Sequence, residues 1–436
     1  MKHLQLIRRG ALALLAAAAL VPVALAQTPP TGCAPAASAG RPVVNTGLPV
    51  VQIWTENAAP VVDKENYVKG CLRITDGSVM PYGQGLFHGT IRIKGRGNTT
   101  WNMPKKGYRL KLDSAAPVLD MPAHKDWVLL ANYADKTLMR NAVAMELSRL
   151  AGFAWTPRLR YAEFYLNDEF LGNYLIGEKI EVAPQRVPIT PMTTGDNTLP
   201  NLSGGYLLET EFTDRLTADD RWFSTSGGIN FIMQSPSGTD VTSAQHDYMR
   251  AMMQRLEDTV LARNSDPATG YPSLIDIDTL VNWFIVEELM KNVDAGFGSS
   301  VYLYKERGAK LKMGPLWDFD ITAGNVDYIA DAIRPTGWLL PVHAPWVQAL
   351  MADPTFKRRL QTRWGQLRRP YAGIGLYIEA LRWRLHRSQA ENFRRWPILN
   401  TYVWPNAVVL GSHDKEVDYL KSWLNQRVNW LDRQLR

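Results

Sequence analysis

The chain has 436 residues, 46% hydrophobic and 21% charged, with a formal net charge of +7 at pH 7. This composition is typical of a globular protein, and the length is sufficient for one large or two moderate domains with a substantial core. The two cysteines and seven histidines lack zinc-ligand spacing, and no H-E-x-x-H or G-x-S-x-G motif occurs. Hydrolases of those types therefore lose support.

The N-terminus predicts an export signal followed by a leader. Residues 1–26 carry basic residues and no acidic ones, then an apolar run, and end in the small-x-small motif Ala24-Leu25-Ala26. A transmembrane anchor is the alternative, but the run is shorter than the ~20 residues that a span needs. Residues 27–42 are rich in Pro, Ala, Thr and Ser, which indicates a flexible leader. We expect an exported protein, periplasmic or extracellular, with no transmembrane segment after signal cleavage.

Export would place the two cysteines, Cys33 and Cys71, in an oxidising compartment. We therefore predict one disulfide that ties the leader to the first strand region. Two unpaired thiols are the alternative.

Hydrophobic periodicity and turn residues divide the remaining chain into a β-rich half and a mostly helical half. The predicted strands are near residues 43–54, 70–76, 88–95, 106–112, 161–167, 170–180 and 204–212. The predicted helices are 136–151, 245–263, 276–292 and most of 343–436. The expected fold class is α+β, with a β-rich N-lobe over residues 43–200 and a helical C-lobe over 201–436.

Residues 282–325 place two acidic residues in the order that a phosphoryl-transfer site needs. A mostly apolar helix breaks at Asn292-Val293-Asp294 into a Gly/Ser-rich loop, and two short strands then lead to Trp317-Asp318-Phe319-Asp320. Protein kinases have the same order of helix, catalytic-loop Asp, hairpin and metal-binding Asp. Asp294 would orient the acceptor hydroxyl, and Asp318 would hold the metal, with Asp320 as a second metal candidate.

Several collinear segments carry a resemblance to a known family. They are RGNTTWNMPKKGYRLKL (96–112), DWVLLANYADKTLMRN (126–141), YAEFYLNDEFLGNYLIGEKI (161–180), GGYLLE (204–209), KNVD (291–294) and WDFD (317–320). Together they resemble the CotH kinase-like proteins. The resemblance implies an atypical, bilobal protein-kinase fold that transfers phosphate from ATP, with Mg²⁺ or Mn²⁺, to Ser or Thr of a protein substrate with a Ser/Thr-rich segment.

The nucleotide-binding residues expected in the N-lobe are a phosphate-binding cation and an acid that holds it. The K-K-x-Y pattern of the family points to Lys106 as the cation. Glu146 is the best-placed acid on the following helix, with a surface ion pair as its alternative. Arg96, in the loop 95–100, would contact phosphates. Glu178 lies where a kinase hinge would be, and a solvated ion pair is equally consistent with its position.

One departure from the kinase pattern leaves open whether the protein is catalytically active. Kinases place a metal-binding Asn five residues after the catalytic-loop Asp, and this chain has Ser299 there. A hydroxyl is a poorer Mg²⁺ ligand than a carboxamide, so an inactive kinase-like protein is an alternative. The other alternative is a non-catalytic cell-envelope or surface protein that binds polysaccharide or a partner through its tryptophans and basic tail.

Charge is concentrated at the C-terminus. Residues 357–436 contain 16 Lys and Arg against six Asp and Glu. The pattern predicts amphipathic helices with basic outer faces. These faces are either simply solvated or a docking surface for an acidic or polyanionic partner. Nucleic acid is not expected as a partner, because export removes the protein from it.

Overall fold

The computed structural model describes residues 43–77 and 85–436. The predicted signal, the predicted leader and Cys33 lie outside this range. Cys71 is disulfide-bonded. No helix within the described ranges is long and apolar enough to cross a bilayer.

The N-terminal part is a closed barrel with strand order β1-β2-β3-β4-β5-β7-β6. Its strands are β1 Val50–Thr55, β2 Val68–Thr75, β3 Gly85–Arg96, β4 Gly107–Val118, β5 Met121–Leu130, β6 Leu159–Leu166 and β7 Glu169–Glu178. Neighbouring strands are antiparallel, except that β1 pairs with β6 in parallel and so closes the barrel.

Alternate side chains along each strand point inward and fill the barrel interior. In β4, Tyr108, Leu110 and Leu112 are buried, whereas Arg109 and Lys111 are only partly covered. The buried side chains join one apolar core with those of the other six strands. The sequence therefore sets which face of β4 points into the barrel.

Strand β5 was not predicted, because the first six residues of Met121–Leu130 include Pro, His, Lys and Asp and show no clear alternation. Its pairing supplies the missing stabilisation, since Leu110 of β4 lies opposite Trp127, and Trp127 lies opposite Glu178 of β7. The first strand also begins later than predicted, at Val50.

The predicted helix 136–151 begins later, at Arg140, and forms α1 Arg140–Leu150. Asp135, which directly precedes the predicted range, is not the N-cap, since that position is Met139. Its carboxylate accepts hydrogen bonds from Thr137 and from the backbone and guanidinium of Arg140, which organises the turn before the helix. The Arg140 Nη1 to Asp135 Oδ1 distance is 2.6 Å in this buried pair.

The C-terminal part combines a five-stranded sheet of order β12-β11-β8-β10-β9 with helices. The strands are β8 Tyr206–Thr210, β9 Trp222–Ser224, β10 Asn230–Ser235, β11 Tyr302–Lys305 and β12 Leu311–Met313. The helices are α2 Ser243–Leu261, α3 Tyr271–Leu274, α4 Ile277–Met290, α5 Ala330–Ile333, α6 Leu340–His343, α7 Pro345–Ala352, α8 Pro354–Ala372, α9 Ile374–Arg395 and α10 His413–Leu435. A β-rich N-terminal part thus precedes a largely helical C-terminal part, as expected for an α+β chain.

Helix α4 lies at the centre of the larger core. The Asp276 side chain caps its N-terminus by accepting from the backbone N–H groups of Asp278 and Thr279. All its residues from Leu280 onward are buried, which explains its mostly apolar sequence. It ends at Lys291, whose φ of 49° is left-handed.

Candidate active site

A cavity of about 440 Å³ is lined by residues of both the barrel and the five-stranded sheet. The barrel contributes the β3–β4 connection and positions near the ends of β4, β5 and β7. The sheet contributes β8, β10 and β11, and the loops around the two predicted acids complete the lining. The cavity therefore lies where the two parts of the chain meet, as ligand sites often do.

Asp294 lies in this cavity, in the loop after α4. Asn292 holds the loop, because its Oδ1 accepts from the Asp294 backbone N–H at 3.1 Å and its Nδ2 donates to Glu287 Oε2 at 3.0 Å. Burial, together with the nearby Asp318 carboxylate, raises the pKa of Asp294 to about 7. A carboxyl with this pKa can exchange a proton near neutral pH.

Asp318 and Asp320 line the same cavity and follow β12. Asp318 has a φ of 65°, a left-handed conformation that Asp tolerates better than most residues. The next residue is fixed, since the Phe319 N–H donates to Asn141 Oδ1 at 2.8 Å. The side chain of Phe319 itself is fully buried. The backbone of this segment is thus anchored on α1.

Burial raises the pKa of both Asp318 and Asp320. For Asp320, the negative charges of Asp318, Asp135 and Asp294 raise it further. Buried carboxylates whose charges interact in this way fit a divalent cation, which prefers oxygen ligands. The donor set of Asp318 and Asp320 therefore suits Mg²⁺ or Mn²⁺.

The loop 95–100 lines the barrel side of the same cavity. Gly97 has a φ of 109°, and a Cβ there would lie 2.1 Å from Thr100 Oγ1, so the turn requires glycine. Asn98 Nδ2 donates to Glu211 Oε2 of the segment after β8 at 3.1 Å. The Arg96 guanidinium lies 5.1 Å from the Trp317 ring centroid. The loop is thus tied across the cavity to the C-terminal part.

Charge is largely segregated in the cavity. Most acidic groups cluster on the sheet side, namely Glu209, Glu211, Asp220, Asp294, Asp318 and Asp320, and Arg215 is the basic residue among them. Most basic groups come from the barrel side, namely Lys64, Lys94, Arg96, Arg109 and Lys179, and Glu65 is the acidic residue among them. Such an arrangement suits a ligand that carries phosphates next to a metal ion.

The structure brings together four of the predicted residues, since Arg96, Asp294, Asp318 and Asp320 all line the cavity. Ser299, which occupies the position of the kinase Asn, lines it as well.

The other three predicted residues lie outside the cavity lining. Lys106 precedes β4, and its Nζ donates to the backbone oxygens of Trp101 at 2.7 Å and Met103 at 3.3 Å. Glu146 pairs with Arg149 on the surface of α1, which is the alternative that the sequence allowed. Glu178 is buried, and its Oε1 lies 2.7 Å from Arg158 Nη1.

Sequence reasoning missed several lining residues. Glu209 ends the GGYLLE segment, and burial raises its pKa to about 7 while Gln234 Nε2 donates to it at 2.7 Å. Arg109 lies on the β4 face opposite the barrel interior, and Lys179 directly follows β7. Alternation along β4 places Arg109 on the face away from the barrel core, but no local signal indicates that this face lines a cavity.

The basic C-terminal segment forms α8 to α10, as predicted. Many of its charges are paired locally: Arg382 pairs with Asp418, and Arg394 pairs with Glu391. Arg427 is fully buried against Glu288, with Nη2 to Oε1 at 2.5 Å. Part of the surplus positive charge is therefore used within the fold.

Comparison with known proteins is consistent with this geometry. The CotH kinase protein family model matches residues 91–431, most of the chain and all of the cavity except Lys64 and Glu65. A search of curated proteins finds no match. The protein belongs to the CotH kinase family, which makes it a kinase-like protein.

Proposed function

We propose that this protein is an ATP-dependent kinase that phosphorylates Ser or Thr of a protein substrate, using Mg²⁺ or Mn²⁺. One observation carries the proposal: a single cavity holds Asp294 and Asp318 opposite the loop 95–100 with Arg96. Phosphoryl transfer relies mainly on positioning and charge stabilisation, and these residues are of the types that supply both.

Asp318 and Asp320 are the residues that would hold the metal. When bound, a divalent cation neutralises charge on the phosphate oxygens and links them to protein carboxylates. The raised pKa of both carboxyls supports this role: burial is its main cause, and a bound cation would favour the ionised form that burial disfavours.

Asp294 would orient the acceptor hydroxyl and accept its proton. Its pKa of about 7 suits a general base at neutral pH. The hydrogen bond from its backbone N–H to Asn292 fixes the loop that carries it. Arg96 and the backbone N–H groups of the loop 95–100 would contact the phosphates on the other side.

We further propose that the protein acts outside the cytoplasm, in the periplasm or extracellular space. The signal-like residues 1–26 support this, and so does the disulfide at Cys71, since disulfides persist in oxidising compartments.

A separate proposal is that residues 357–436 bind an acidic or polyanionic partner. It predicts binding that weakens steeply with salt, and salt-insensitive binding would contradict it.

The alternative function, a non-catalytic envelope-binding protein, is favoured by one observation. Leu376 and Trp383 lie seven residues apart on α9 and are 79% and 84% exposed. Residues at this spacing share a helix face, and large exposed apolar side chains together often mark a contact surface. This alternative requires no nucleotide binding.

Calorimetry and thermal shift with ATP, with and without Mg²⁺ or Mn²⁺, test the proposed function. The wild type should gain stability only when both nucleotide and metal are present. Asp318→Asn should lose that gain while its unfolding temperature without nucleotide stays close to that of the wild type. Asp113→Asn, a change at an exposed aspartate in the barrel, is the matched control. Equal ATP affinity in the wild type and Asp318→Asn would refute the metal assignment, and no binding by the wild type would favour the alternative.

A further inference from the structure

A cluster of charged residues lies on the barrel wall beside the cavity. Ligand-type atoms of His124, Asp126 and Glu181 lie within 4.8 Å of one another, a grouping that would suit a metal ion. Positive side chains already hold both carboxylates, however. Arg109 Nη2 is 2.8 Å from Asp126 Oδ1, and Lys179 Nζ is 3.6 Å from Glu181 Oε2.

A third cation completes the cluster. Arg186 pairs with Glu181, and its Nη2 donates to the Asp126 backbone oxygen at 2.6 Å. Three cations for two carboxylates make the cluster net positive, which disfavours a further metal ion. The carboxylates of Asp126 and Glu181 therefore act as ion-pair partners of these basic side chains and not as metal ligands.

Two of the three cations line the catalytic cavity. Arg109 and Lys179 are lining residues, whereas Arg186 is not and lies 5.4 Å from the Trp127 ring centroid. The side chain of Lys179 is only 28% exposed. The Arg109 Nε is buried and has no hydrogen-bond partner among the described residues.

Arg109 and Lys179 are also close enough to repel each other. Burial lowers the pKa of Lys179, the Glu181 carboxylate opposes this, and the Arg109 charge lowers it further. Because three cations share the two carboxylates Asp126 and Glu181, one positive charge is left over, and an anion in the cavity would offset it. An Arg fork can also hold a carboxylate at one edge and a phosphate at another.

We infer that Arg109 and Lys179 form a phosphate-binding subsite of the catalytic cavity, and that Asp126 and Glu181 are the positioning residues that hold them there. The ligand class is the phosphate chain of a nucleoside triphosphate. This inference rests on the proposed function and assigns to Lys179 and Arg109 the phosphate contact that the sequence pattern suggested for Lys106. Lys106 is held by backbone oxygens at another place.

The test compares ATP with AMP by calorimetry in the presence of Mg²⁺, because only ATP reaches a polyphosphate subsite. Lys179→Met should weaken ATP binding at least about tenfold while changing AMP binding much less, as expected for loss of a charge-assisted hydrogen bond. Lys106→Met is the matched control and should leave the ratio of the two affinities unchanged. Lys179→Arg should retain most of the ATP affinity. Glu181→Gln should lower the ATP affinity by a smaller factor and spare AMP.

A second measurement needs no variant. Acylation of lysines in the wild-type protein, mapped by peptide mass spectrometry, should show Lys179 protected by ATP and Mg²⁺ and Lys106 unaffected. If the wild type binds ATP but Lys179→Met keeps the wild-type ratio, or if ATP leaves Lys179 unprotected, the inference is wrong and the proposed function stands. If the wild type binds no nucleotide, both are wrong.

Discussion

The carboxyl of Glu287 offers a quantitative test of the structure around the candidate active site. It lies on α4, is 3% exposed, and has Asn292 as its side-chain partner. Burial raises its pKa from 4.5 to about 8, with hydrogen bonding to Asn292 opposing the shift and Asp294 adding to it. The difference between these values corresponds to roughly 4–5 kcal/mol.

The sign follows from proton binding. Between about pH 4.5 and 8 the unfolded chain releases this proton while the folded chain retains it, so stability falls as the pH rises and the full cost applies above about pH 8. Glu287→Gln removes the titration and can still accept the hydrogen bond from Asn292. We expect the variant to gain stability relative to the wild type as the pH rises, by up to about 4 kcal/mol.

Urea denaturation at intervals between about pH 5 and pH 8.5 measures this gain. Glu146→Gln, a change at a carboxyl paired with Arg149 on the surface of α1, is the control for the loss of a helix carboxyl outside the core. A Glu287→Gln effect that is constant across the range would mean that the carboxyl titrates normally, and the reasoning from burial would be refuted. The same result would cast doubt on the placement of Asn292, which holds the Asp294 loop.

Three further changes test other parts of the structure. Asp294→Ala should keep metal-dependent ATP binding but lose phosphate incorporation by about 10²–10⁴-fold, measured with radiolabelled ATP; transfer at the wild-type rate would leave Asp294 as a loop residue only. Arg427→Ala should lower the free energy of unfolding by about 3–5 kcal/mol, because it leaves the Glu288 charge buried without its partner; a loss below about 1 kcal/mol would contradict the buried pair. Asn98→Ala removes the contact with Glu211 that ties the loop 95–100 across the cavity, and should weaken ATP binding several-fold, by about 0.5–1.5 kcal/mol, with the unfolding temperature unchanged.

The local pattern of apolar and polar residues predicted much of the secondary structure. The strand predicted near residues 106–112 lies within β4, and the mostly apolar helix predicted near residues 276–292 is α4. The local sequence pattern did not predict β5, because Met121–Leu130 lacks alternation at its start and is stabilised by pairing with β4 and β7. The parallel pairing of β1 with β6 that closes the barrel joins residues more than 100 positions apart, and no local signal encodes it.

The same limit applies to the candidate site. Asp294 and Asp318 were identified because their order along the chain, with a hairpin between them, is itself the kinase pattern. No comparable order of residues along the chain identified the phosphate-binding cation. Lys106 matched a family pattern, but its side chain is held by Trp101 and Met103, while Arg109 and Lys179 line the cavity.

The sequence by itself determined the α+β class, the family resemblance and the two acids of the proposed phosphoryl-transfer site, because these depend on periodicity and on residue order along short segments. The tertiary structure alone decided which charges face the acids across the cavity. The outer face of β4 carries Arg109, and the end of β7 leads to Lys179. These two positions come together only through barrel pairing, in which Arg109 lies opposite Val128 and Val128 opposite Gly177. A charge contributes to a site through its distance from other charges, and that distance is set by long-range strand pairing.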